Sequence, residues 1–194
     1  LAMLSVKARL SGNEELYQGL RAFSKLIQGK IFREKEIKIP LAEEMELVEF
    51  YLYLQKSRFQ DKISYEVIYG SEDVKNCLIP RLFIEPLVEN AVSHGLEPKI
   101  GNGHIRIEVY EQADKLHIIV EDDGVGFDPE TQKQDKLEKS DHTSTGLANT
   151  KRLLEILYKD AHEMTVQGAQ GQGVRVEFVL PVERSRGNVE SYRS

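Results

Sequence analysis

Leu16, Leu20, Phe23, Leu26, Ile27 and Phe32 recur at near-helical spacing, so the pattern predicts helix over residues 1 to 30, in two segments broken at "SGNEE". "IKIP" reads as a short extended stretch ended by Pro40. A long helix follows in "LAEEMELVEFYLYLQKSRF", with Leu41, Met45, Val48, Tyr51, Leu52 and Gln55 along one side. "KISYEVIYG" alternates like a strand and is rich in β-branched and aromatic residues. In "FIEPLVENAVSHGLEP" the apolar stripe is Ile84, Leu87, Val88, Ala91 and Val92, again helical; Pro86 belongs in a first turn, so this helix either starts late or kinks there. "HIRIEVYEQ" and "KLHIIVED", joined at Ala113-Asp114, predict a β-hairpin. Residues 123 to 144 hold no period. "GLANTKRLLEILYK" is helical, "HEMTVQGA" and "VRVEFVLP" are strands around "QGQG", and "VERSRGNVESYRS" is a polar tail expected to be disordered.

These elements divide the chain near residues 35 to 40. A helical piece (1–36) precedes an α/β body (37–182) and the tail (183–194). There is no internal repeat, and helices and strands in the body alternate without a βαβ rhythm. That order predicts an α+β two-layer sandwich, a mixed sheet with helices on one face. A hydrophobic share of 40% and a charged share of 30% in 194 residues place it among ordinary globular chains. The net charge of −6 removes any electrostatic case for nucleic-acid binding. An acidic domain binds an anion only where local donors or a metal offset the repulsion. The one cysteine, Cys77, cannot form an intrachain disulfide; it reads as a small buried hydrophobe in a reducing compartment. No apolar run approaches the 18 residues of a membrane span. The chain opens without a methionine or signal peptide and is expected to be a piece of something longer.

The chemistry lies in polar residues on the borders of these elements. Asn90 and His94, four apart, share one flank of the third predicted helix, and Glu85 and Glu89 share the other. An asparagine oxygen ligates a hard cation such as Mg²⁺ without adding charge, and His94 is placed to meet phosphate oxygens. Alone, this pattern fits a helix with solvated borders better. In "EDDGVGF", two glycines spaced by one residue at a strand end allow a tight turn and close backbone approach to a ligand. Asp122 is then positioned to accept a hydrogen bond from an amino group at the bottom of a pocket. A calcium loop is excluded: with Gly124 at its sixth position Ile119 stands where the first carboxylate is needed, and with Gly126 there Val125 takes the fifth. The glycines do not run as G-x-G-x-x-G into a helix, which weakens a dinucleotide fold. "STGLANTKR" opens a helix, leaving N–H groups around Thr145, Gly146 and Leu147 free for an anion. The long polar segment before it fits a lid.

These motifs, in this order, resemble the GHKL (Bergerat-fold) ATPase superfamily of gyrase, Hsp90, MutL and histidine kinases. "PLVENAVSHG" resembles the asparagine box, "EDDGVGF" the first glycine box, "STGLAN" the second and "GQGV" the last. Within the superfamily, "IPRLFIEPLVENAVSHGL", "GLANTKRLLEILY" and the upstream "EMELVEFYLYLQKSRF" are most similar to LytS/YesM-type sensor histidine kinases. The resemblance implies a Bergerat-type sandwich preceded by part of a helical dimerisation region. It implies that Asn90 holds the Mg²⁺ bridging the phosphates of ATP and that Asp122 accepts from the adenine amino group. Gly124 and Gly126 would line the adenine pocket, Thr145, Gly146 and Leu147 cap the phosphates, and Gly171 and Gly173 close the far side. Glu89 would polarise the attacking group and His94 touch phosphate. The partners implied are ATP, a phosphoacceptor histidine helix, a response regulator and a second copy in a homodimer, with no nucleic acid or membrane contact by this chain. The place implied is the cytoplasmic part of a membrane-anchored bacterial sensor.

The chain also departs from the pattern. Asp123 stands where many relatives have Asn, Ser144 where the second box often has Gly, and Val174 where Thr often joins the water network around adenine. Pro86 occupies the turn where gyrase-like members place a catalytic Glu, which argues against independent hydrolysis of that type. The family's acceptor histidine has no counterpart: His94, His104, His117, His142 and His162 all lie outside the N-terminal helices. Apart from His94, they read as solvated or packed residues. The alternatives are a degenerate nucleotide-binding or scaffold module without phosphotransfer, and another ATPase of the superfamily.

Overall fold

The computed structural model describes residues 2–14, 17–21, 24, 37–127 and 144–184. The segment expected to form a lid, the end of the predicted N-terminal helical region and the last part of the tail lie outside these residues.

Helix α1 (Ala2–Leu10) stops at a left-handed Gly12, in the predicted break. The body starts with β1 (Lys38–Pro40) and α2 (Leu41–Phe59), then β2 (Ile63–Tyr69) and β3 (Leu78–Pro80). Next come α3 (Glu85–Asn90), β4 (Gly103–Gln112), β5 (Lys115–Asp122), α4 (Ser144–Tyr158), β6 (Glu163–Ala169) and β7 (Gly173–Pro181). The main sheet has the order β2-β4-β5-β7-β6; β2 and β4 run parallel and the other pairs antiparallel. The fold is therefore the expected α+β sandwich with a mixed sheet. The β4–β5 turn is the predicted one, with Ala113 and Asp114 both left-handed at φ 50° and 60°. The sequence pattern did not reveal β3, which pairs with β1 in a small second sheet.

Strand alternation sets the two faces. Ile105, Ile107 and Val109 on β4, Leu116, Ile118 and Val120 on β5, and Val176, Phe178 and Leu180 on β7 all enter one core with the apolar sides of α2, α3 and α4. Phe83, just ahead of α3, meets Phe178 with ring centroids 4.6 Å apart. The opposite face carries charge, including Arg106 between Glu66 and Glu108 and Arg175 between Glu121 and Glu177. Beyond β7, Glu183 and Arg184 stay tied to the body: Glu183 pairs with Lys38 at 2.6 Å, and Arg184 pairs with Glu111 and bridges to Cys77.

Two features of α3 position everything that follows. The first is its start. Ile84, at its N-cap, offers no capping side chain, yet the turn before it is buried. Glu44, fully buried on α2, supplies the missing acceptor: its carboxylate takes the N–H of Leu82 at 2.9 Å, Phe83 at 2.8 Å and Ile84 at 3.0 Å. Leu82 is left-handed at φ 54°, so successive N–H groups converge on one anion in a nest. Burial pushes the Glu44 carboxyl above its usual range, against the pull of these donors.

The second feature is its continuation. Ile84, Val88, Val92 and Leu96 are all buried, as are Leu87, Ala91 and Gly95, a recurrence of four. An α-helix drifts by about 40° every four residues, so that recurrence would spiral off the core. Residues Ala91–Leu96 form a π turn instead, closed by the Glu97 N–H on the Val92 carbonyl at 2.8 Å. Its wider winding turns the stripe back onto the sheet. The pattern predicted ordinary helix here; the four-residue recurrence is the signal of the π turn.

Replacing Glu44 with alanine leaves the nest's N–H groups buried and unpaired, so a loss of about 2–5 kcal/mol is expected in urea unfolding. An unchanged midpoint would show that water replaces the carboxylate freely.

Candidate functional site

The alternation that buries Ile118 and Val120 also turns Asp122 inward, at the last position of β5. It is 5% exposed and sits beneath the π turn, because Gly95 lies directly against its carboxylate. A Cβ on Gly95 would stand 2.6 Å from Asp122 Oδ1, so no other residue fits without displacing the group. The same oxygen accepts the Gly124 N–H at 2.8 Å. Gly124 in turn rests on the main chain of Gly95, where a Cβ would come within 2.5 Å of its Cα, and the Val125 N–H reaches the Gly95 carbonyl at 3.0 Å.

The turn between β6 and β7 completes the cluster. Gly171 donates to the Val125 carbonyl at 2.7 Å, and left-handed Gly126 and Gly173 each allow a backbone approach that a side chain would block. The two glycine-rich segments, predicted separately, are thus one packed unit. Asp123 faces the other way: it accepts the His104 N–H at 2.7 Å and pairs with Lys99 at 2.9 Å. Against an upward push from burial, those contacts hold its carboxyl below the usual range.

Burial pushes the Asp122 carboxyl up to about 6, against the backbone N–H groups of Gly124 and Val174, with the charge of Asp123 adding to the rise. An inward carboxylate with acceptor capacity and glycine-only neighbours can take a hydrogen-bond donor from a flat ligand.

The other predicted residues surround this end of the sheet unequally. Asn90, half-buried, ends α3 and leads into the π turn, which touches β4, β5 and β7. Helix α3 also lies against α4, whose first turn carries Thr145, Gly146 and Leu147; Leu147 packs on the core. His94 is exposed on the π turn. Glu89 is exposed too, and with Glu85 its charge helps burial push the Tyr51 hydroxyl of α2 upward, which puts it on the flank towards α2. Among the other described histidines, His104 meets Ser64 Oγ at 2.9 Å, and His117 stacks on Tyr110 and meets Glu177 at 3.2 Å. His162 is half-buried; His142 lies outside the described residues. Gly95 and Glu44 were missed by sequence reasoning. Gly95 is marked only by the four-residue recurrence that it continues, and Glu44 by nothing local.

Residues 79–184 match the family model of histidine kinase-, DNA gyrase B- and HSP90-like ATPases, and residues 1–63 match a histidine kinase model. The chain belongs to this ATPase family. Its body is homologous to the catalytic domains of sensor histidine kinases. Sensor histidine kinase YpdA of Escherichia coli (strain K12) is 30% identical over 84% of this chain, and YesM of Bacillus subtilis (strain 168) is 26% identical over 90%. The alignments cover 28% and 29% of those proteins, so the chain spans less than a third of their length. The histidine kinase domain of the blue-light-activated kinase of Erythrobacter litoralis shares the fold at a TM-score of 0.55 and 18% identity, over 93% of this chain and 81% of that one. The catalytic domain of histidine kinase ThkA does so at 0.53 and 17%, over 76% and 97%. The ATPase family implies a nucleotide site in the body. No helix among the described residues is long and apolar enough to cross a membrane.

Two outcomes follow from this packing. Gly95→Ala should cost about 1–3 kcal/mol through overpacking against Asp122, read by thermal unfolding; full stability would mean that the carboxylate is not confined. Asp122 binds its proton more tightly folded than unfolded, so its contribution to stability is complete below about pH 4 and is lost as pH rises through about 6. Relative to Asp122→Asn, the unmodified protein should therefore lose up to about 3 kcal/mol between pH 4 and pH 7.5. A difference that is flat with pH would contradict the buried carboxylate.

Proposed function

We propose that this chain binds Mg·ATP at the Asp122 end of the sheet and delivers the γ-phosphoryl group to a histidine on a helix outside these 194 residues. The observation that supports it is the inward Asp122 carboxylate, with Gly95 packed on it, the Gly124 N–H donating to it and Gly173 against the main chain of Asp122. That cradle suits the edge of an adenine ring, whose amino group donates to the carboxylate. Gly126 and Gly171 hold the two glycine segments together. The first turn of α4, at Thr145, Gly146 and Leu147, faces the phosphates with its N–H groups, and His94 adds a donor.

Among the described residues no group of three or more His, Cys, Asp or Glu side chains forms a metal site. The metal would therefore be held by Asn90 and phosphate oxygens, a fit for Mg²⁺, which keeps few protein ligands. When bound, it neutralises charge on the phosphates. In the transfer, the bond from the γ-phosphorus to the β,γ-bridging oxygen breaks and a bond to the imidazole nitrogen forms. ADP leaves with the electron pair, and the imidazole loses its proton. Glu89 is the residue of this chain assigned to polarise the attacking nitrogen.

The acceptor is placed elsewhere because residues 1–63, which match the histidine kinase model, contain no histidine. The division into a helical dimerisation segment (1–36), a catalytic body (37–182) and a tail belongs to the same proposal. So do a homodimeric parent, a response regulator as the next acceptor, and a cytoplasmic position in a membrane-anchored sensor.

Calorimetry should show Mg·ATP binding that Asn90→Ala weakens about tenfold or more, while binding of nucleotide without metal barely changes. Unchanged Mg·ATP affinity in that variant would remove Asn90 from the metal. With radiolabelled ATP, this chain alone should take up no acid-labile label and should gain it when a helix bearing the acceptor histidine is added. Phosphohistidine formed on the chain alone would contradict the placement of the acceptor.

A further inference from the structure

We infer that Glu44 is a positioning residue for the nucleotide site, acting through α3 on Asn90 and the π turn; the inference rests on the ATP-binding reading above. Helix α2 holds the α3–π segment at both ends. At the far end, Arg58 pairs with Glu97 at 3.0 Å, and Lys62, in the turn just after α2, donates to the Glu97 carbonyl at 2.8 Å. Those cations suit a helix C-terminus, but Arg58 is 60% exposed, and exposed pairs contribute little. The near end differs in kind. Glu44 is fully buried, and both of its oxygens are used by main-chain donors of four successive residues, Leu82 to Glu85.

The geometry at Leu82 makes this end decisive. A left-handed leucine is strained, and it persists only where its surroundings over-determine it. Here the over-determination comes from α2, because Glu44 Oε2 takes the Leu82 N–H while Oε1 takes those of Phe83 and Ile84. Pro86 fixes the next turn, leaving few ways for α3 to begin. Asn90 lies one and a half α-helical turns from that anchor, and Gly95 one further turn on, against Asp122. A shift at the nest is carried as a rigid-body shift of the short helix. The carboxylate thus sets where the asparagine oxygen stands relative to the base-binding end, which is built separately on β5 and β7.

The discriminating variant is Glu44→Gln, which keeps the size but sets an amide N–H₂ against main-chain donors. In the nucleotide-free protein, amide exchange across residues 85–96 should accelerate at least tenfold while that of β4 and β5 stays within about twofold. Mg·ATP affinity should fall about tenfold, and that of metal-free ADP by less than about threefold. Glu44→Asp, which keeps the charge but is one methylene short, should show the same split at smaller size and serves if the glutamine variant does not fold. Unchanged exchange over 85–96 in a folded variant would overturn the inference, as would equal losses with and without metal. If the unmodified protein binds no Mg·ATP, the proposed function falls, and the exchange measurement still decides whether Glu44 positions the helix.

Discussion

A carboxylate turned inward at the end of a strand is a costly thing to build, and the body of this protein is arranged around one. Asp122 makes no ion pair among the described residues; Lys99, whose field reaches it, is paired with Asp123. What holds the charge is main chain: the Gly124 and Val174 N–H groups, with Gly95 packed on the carboxylate. A Cβ on Gly95 would occupy the space of the carboxylate, and one on Gly124, Gly126 or Gly173 that of the surrounding backbone, whereas Gly171 is set by its left-handed φ of 76° alone. Desolvation raises the free energy of the ion, and a ligand that donates a hydrogen bond there recovers part of it.

That arrangement depends on two independent pieces of the fold meeting in direct backbone contact at Gly95 and Gly124. The sheet contributes Asp122, the 123–127 loop and the β6–β7 turn; α3 and its π continuation contribute Asn90 and Gly95. Tying them together are the Val125–Gly95 hydrogen bond on one side and the Glu44 nest on the other. The π turn reconciles the two, since without it the four-residue recurrence could not keep both Ile84 and Leu96 on the sheet, an α-helix drifting by about 120° between them.

Much of this was legible in the sequence because it is local. Alternation fixes which β5 residues face the core, so Asp122 inward and Asp123 outward follow from parity alone. The paired glycines of "EDDGVGF" and "GQGV" announce tight backbone, although their mutual packing is a tertiary fact that neither segment discloses. What escaped was long-range or conformational. Glu44 is one of several acids in "AEEMEL" with nothing local to set it apart, and only the fold brings it to an N–H cluster 38 to 41 residues away. Strand β3 is three residues long and is stabilised by its pairing with β1, so no period reveals it. Asn90 and Glu89 were read as border residues, and the fold gives them different surroundings: Glu89 towards Tyr51 of α2, Asn90 at the approach to the sheet end.

Asp122 is proposed to read the amino group of an adenine ring. A double-mutant cycle tests it most directly: ATP against the purine triphosphate with hydrogen in place of the 6-amino group, each measured on the unmodified protein and on Asp122→Asn. Removing the amino group should weaken binding about tenfold or more in the unmodified protein and much less in the variant, a coupling of about 1–3 kcal/mol. Equal losses in both proteins, with no coupling, would contradict it.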